Sequence, residues 1–98
     1  MILKRTAIGL ALLTLPLSGA TAADAPPGAS SCSGCHPASP SVDTPVTRLI
    51  GRNPADIVAT VKAFRSGEKP ATIMDRIAKG FTDDEIKAIA DWYGAQKD

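Results

Sequence analysis

The chain has 98 residues, enough for one small domain. Its 11 basic and 10 acidic residues nearly balance and are mixed along the chain, so neither nucleic acid nor an anionic membrane surface is indicated as a partner. Two Cys, one His, one Trp, one Tyr and two Phe make a thin stock of core and site residues, and a domain this small ordinarily needs a disulfide, a metal or a bound cofactor to fold.

The chain opens on a pattern of export. Lys4 and Arg5 give a positive start, Ala7 to Ser18 form an apolar run, and Ala20-Thr21-Ala22 supplies the small residues that signal peptidase reads. The run falls short of the ~20 apolar residues of a membrane-spanning helix. Residues 1–23 are therefore expected to be a cleaved signal peptide, with the mature domain at 24–98 in the periplasm and no membrane span after cleavage. Losing Lys4 and Arg5 leaves 9 basic against 10 acidic residues, a net charge of −1 with His36 neutral.

Ala23 to Ser31 reads as a linker broken by Pro26, Pro27 and Gly28, with a first helical turn or two starting near Pro27 and running through Cys32. Pro37, Pro40 and Pro45 make the stretch from Pro37 to Thr47 mostly loop. Asn53-Pro54-Ala55-Asp56 predicts a helix start, with Asn53 as N-cap and Pro54 in the first helical position. Ile57, Val58, Val61 and Phe64 then share one face, and Gly67 is the expected stop.

A shorter helix is predicted from about Thr72 to Lys79, with Ile73, Ile77 and Ala78 on one side and Gly80 as its stop. Thr82-Asp83-Asp84-Glu85 has the form of a capping box. It opens a last helix whose Ile86, Ile89, Ala90 and Tyr93 keep the spacing of an apolar stripe, with Trp92 beside it. No stretch alternates with period two. The fold expected is all-α, with three to four short helices.

Chemistry concentrates in Cys32-Ser33-Gly34-Cys35-His36, the C-x-x-C-H signature of covalent haem attachment. Two thiols three residues apart lie on one edge of a helical turn and suit thioether bonds to the two vinyl groups of one porphyrin. His36, next in sequence, then offers an imidazole as proximal iron ligand. Other readings are poorer in ligands or context. Structural zinc needs four ligands, a thioredoxin-type C-x-x-C needs a βαβ context, and a Cys32–Cys35 disulfide would close too small a loop to stabilise much while leaving His36 unexplained.

The other axial ligand follows by elimination. His36 is the only histidine, and Met1 leaves with the signal peptide, so Met74 is the remaining Met or His. A five-coordinate iron, or ligation by Lys79 or water, is the alternative. With both axial positions filled, a thioether raises the potential and leaves no open site, which suits outer-sphere electron transfer rather than catalysis by this chain alone. A haem enzyme or gas sensor with a labile sixth position would instead bind carbon monoxide. A thiol redox or metal-delivery protein would carry no haem. The Pro45 carbonyl is the expected acceptor for the His36 Nδ1 proton. Arg48, Arg52, Lys62 and Arg65 could reach haem propionates, and each also reads as a plain surface charge.

The layout resembles a class I c-type cytochrome, with the attachment motif near the mature N-terminus and a methionine downstream. The stretch P-A-T-I-M-D-R-I-A-K-G-F-T-D-D-E-I-K-A-I-A-D-W-Y-G-A-Q, Pro70 to Gln96, is similar to the haem subunit of flavocytochrome c sulfide dehydrogenase and its short single-haem relatives. That resemblance covers nearly all of residues 30–96, including Arg48 to Arg52 and Phe64 to Gly67. It implies one covalent haem c, with Met74 of the A-T-x-M segment on the iron. It implies that Ile77 to Gly80 form a turn and Thr82 to Glu85 a cap, and that Trp92 is the aromatic packing on the N-terminal helix. The implied partner is a redox protein, an FAD-containing sulfide dehydrogenase subunit. A free diffusible carrier serving another dehydrogenase or a terminal oxidase is the alternative. One departure is the short, proline-bearing segment before Cys32, which truncates the first helix and puts its packing on the last one in question.

Overall fold

The computed structural model describes Gly9 and residues 24–97. The predicted signal peptide, 1–23, lies outside the described residues apart from Gly9. Four helices follow one another: α1 (Ala29–Ser33), α2 (Pro54–Ser66), α3 (Met74–Ala78) and α4 (Asp83–Ala95). No strand occurs among the described residues, and the fold is all-α as expected.

The two long helices begin as their sequences dictate. The Asn53 side chain accepts from the Ala55 N–H at 2.8 Å, Pro54 fills the first helical position, and Gly67 ends α2 in the left-handed conformation at φ 85°. On α4 the capping box is complete. Glu85 N–H donates to Thr82 Oγ1 at 3.2 Å, and Thr82 N–H donates to Glu85 Oε1 at 3.0 Å.

The short helices depart from expectation. α1 begins only at Ala29, after Gly28 at φ 86°. A Cβ on Gly28 would stand 2.5 Å from the Phe81 ring, so both backbone sign and space demand glycine there. α3 starts at Met74 rather than Thr72, because Ile73 is still non-helical at φ −140°. It closes through the Gly80 N–H to the Ile77 carbonyl at 3.0 Å, without a left-handed residue.

Ile57, Ile89, Ala90 and Tyr93 gather with Ala29 into one buried cluster, while Ile86 and Ala78 are buried nearby. The predicted stripe of α4 is the core face. α2 packs along both α3 and α4. Arg65 secures it to the start of α4 by donating to the Phe81 carbonyl at 3.2 Å and pairing with the Asp83 carboxylate, which Lys62 also approaches at 3.4 Å. No large side chain among the described residues is fully buried, so the core is thin. Ile73, Ile77 and Ala78, expected on one side, all line one groove; Ala78 is buried, while Ile73 and Ile77 are 52% and 37% exposed.

Candidate functional site

Cys32, Cys35, His36 and Met74, read separately from the sequence, all line one groove of about 550 Å³. That size lies within the range of cofactor sites. Val61 and Phe64 of α2, Ile77 of α3 and Ile89 of α4 contribute apolar walls.

The backbone explains why three of these residues converge. The Cys35 and His36 N–H groups both bond to the Cys32 carbonyl, at 3.2 and 2.9 Å. The helical turn thus continues past the end of α1, and positions three and four beyond Cys32 fall on its own face. Cys32 is half-buried and Cys35 exposed, both as free thiols. Burial pushes the Cys32 thiol above its ordinary pKa, which a hydrogen bond from Ser31 offsets in part.

His36 is oriented by its own loop. Its Nδ1 hydrogen-bonds to the carbonyl oxygen of Thr47. A carbonyl can only accept, so Nδ1 carries the hydrogen and the neutral ring keeps its lone pair on Nε2, the nitrogen free to ligate a metal. Pro45 was the expected acceptor; the structure places Thr47 there instead. The reason is a local turn in which Val46 N–H bonds to Thr44 Oγ1 at 3.2 Å, carrying the chain past the exposed Pro45.

Met74, the first residue of α3, is half-buried in the groove wall. Of the four candidate cations, Lys62 and Arg65 are engaged with Asp83, and Arg48 donates to the Ala38 carbonyl. Arg52 remains exposed on the groove lining. Tyr93 joins the last helix to the first, and Trp92, assigned to that contact by resemblance, packs against the same buried cluster that contains Ala29. The buried Tyr93 hydroxyl donates to the Ala29 carbonyl at 2.6 Å, while Trp92 sits half-buried, edge-on to the Tyr93 ring. The truncated first helix is therefore still joined to α4.

The residues fit a flat apolar group carrying a metal. Ile73 and Ile77 leave large apolar surface beside two thiols, an oriented imidazole and a thioether. Such surface is left uncovered by a folded domain mainly where something else lies against it. No group of three His, Cys, Asp or Glu side chains that could hold a metal ion occurs among the described residues, as a zinc site would require. No helix among them is long and apolar enough to cross a membrane.

These helices and this groove make the described residues a small all-α domain, consistent with a small cytochrome c fold. In sequence the chain is similar to the cytochrome subunit of sulfide dehydrogenase from Chlorobaculum tepidum, at 34% identity over 64 residues. The match covers 65% of this chain and 58% of that protein, so the chain spans a little over half of its relative's length. No protein-family model and no solved structure matches.

Proposed function

We propose that this chain is a periplasmic one-electron carrier with one haem c, held by Cys32 and Cys35 and ligated by His36 and Met74. When bound, the haem supplies a single iron that is oxidised or reduced by one electron. The Cys32 and Cys35 thiols would hold the group covalently. The Thr47 carbonyl holds the His36 ring and raises its basicity as a ligand. Met74 would supply a soft thioether ligand, which favours the reduced state of such a metal. The apolar groove wall keeps water from the site and lessens the rearrangement that accompanies a change of charge.

The observation that carries this reading is the convergence of all four residues on one groove. The similarity to a sulfide dehydrogenase subunit supports a further step: the chain is the haem subunit of a sulfide-oxidising flavocytochrome, receiving electrons from an FAD-containing partner. The test is expression with a c-type maturation system, followed by denaturation. Haem should remain on the parent polypeptide and be lost from a Cys32→Ser, Cys35→Ser double variant. Co-purification with a flavoprotein supports the subunit role, whereas a carrier with no stable partner contradicts it.

A further inference from the structure

The loop that follows the attachment motif is closed by two neighbouring bonds. In the first, His36 Nδ1 donates to the Thr47 carbonyl. In the second, the very next residue, Arg48, reaches back to the Ala38 carbonyl through Nε at 3.2 Å and Nη2 at 2.7 Å. Between these rungs the hydrogen bonds are local. Ser39 and Ser41 share a hydroxyl bond at 2.7 Å, the Ser41 N–H bonds to Ser39 Oγ at 3.2 Å, and Thr44 caps the Val46 N–H at 3.2 Å. Such turns shape the loop but do not tie its two ends together. Arg48 is half-buried, while its bonds to the Ala38 carbonyl lie at the exposed surface.

We propose that Arg48 is a positioning residue for His36. Its planar fork clamps Ala38 and thereby holds the adjacent Thr47 carbonyl against the imidazole. The strength of that one bond sets how much electron density the ring gives to a bound metal, and so how strongly the oxidised state is favoured. The inference rests on the haem reading above. It adds a determinant of potential that lies outside the attachment motif.

Arg48→Lys provides the cleanest test, because it keeps the charge and removes the two-donor fork. Potentiometry of the haem-loaded protein should show the reduced state gaining about threefold in equilibrium constant, as expected when the proximal hydrogen bond weakens. In the reduced protein, exchange of the His36 Nδ1 proton with deuterated solvent should quicken about tenfold by nuclear magnetic resonance. Arg48→Gln removes the charge as well. Proton exchange should quicken there too, whereas a purely electrostatic role predicts no change in the lysine variant and a shift toward the oxidised state in the glutamine one. A lysine variant matching the parent in both potential and exchange overturns the proposal, whether or not the glutamine variant folds. A parent chain without covalent haem overturns the underlying reading and this inference with it, which distinguishes the two failures.

Discussion

The hydroxyl of Tyr93 donates a buried 2.6 Å hydrogen bond to the carbonyl oxygen of Ala29, joining the last helix to the first. Ala29 has no exposed surface and Tyr93 is only 4% exposed, so the bond is shielded from water. Burial also raises the Tyr93 phenol above its ordinary pKa, keeping it a neutral donor across the usual range. Tyr93→Phe should therefore cost about 1–2 kcal/mol, measured by urea unfolding. The attachment segment at Cys32 should also become more protease-sensitive, because α1 loses a buried polar tie to α4.

Gly94 gives a second prediction, with a sign opposite to helix propensity. It lies inside α4, where alanine is ordinarily better by about 1 kcal/mol. Here a Cβ would stand 2.6 Å from Pro54 Cγ and 2.7 Å from the Arg52 carbonyl oxygen. The second obstacle is backbone and cannot rotate away. Gly94→Ala should destabilise the domain by roughly 1–3 kcal/mol, the range for overpacking, as read from a lowered unfolding midpoint.

The start of α4 predicts an acid-side dependence. Arg65, hydrogen-bonded to Asp83, holds that carboxyl below its ordinary value of 3.8, with Lys62 adding to the effect. The Thr82 N–H does the same for Glu85, ordinarily at 4.5. Both groups are lowered in the folded chain, so their stabilisation is complete above the ordinary values. It is lost as pH falls through the lowered ones. Thermal unfolding should show the melting temperature falling below about pH 4. Asp83→Asn should flatten that fall, and an equal slope in the variant would remove Asp83 from the account. Both carboxylates are exposed, so the effect should also shrink in high salt.

Much of this fold is legible in the sequence because its signals are local. Asn53-Pro54 and Thr82 to Glu85 announce helix starts through bonds that span two or three residues. The period of Ile86, Ile89, Ala90 and Tyr93 directly encodes a buried face. The attachment motif is equally local, since one helical turn gathers its three side chains. What was not legible depends on tertiary closure. The acceptor for His36 is a backbone carbonyl, so the identity of Thr47 carries no mark of its role, and a turn two residues long decided between it and Pro45. Likewise Ile73 and Ile77 look like core residues by spacing. They line the groove together with Ala78, which alone of the three is buried.

The central claim is that Met74 completes the iron of a haem bound at Cys32, Cys35 and His36. The most direct measurement is the visible spectrum of the oxidised protein, prepared with a c-type maturation system, beside that of Met74→Ala. The weak far-red sulfur-to-iron band should be present in the parent and absent in the variant, with haem still covalently attached in both. A parent lacking that band, or a variant retaining it, would contradict the assignment.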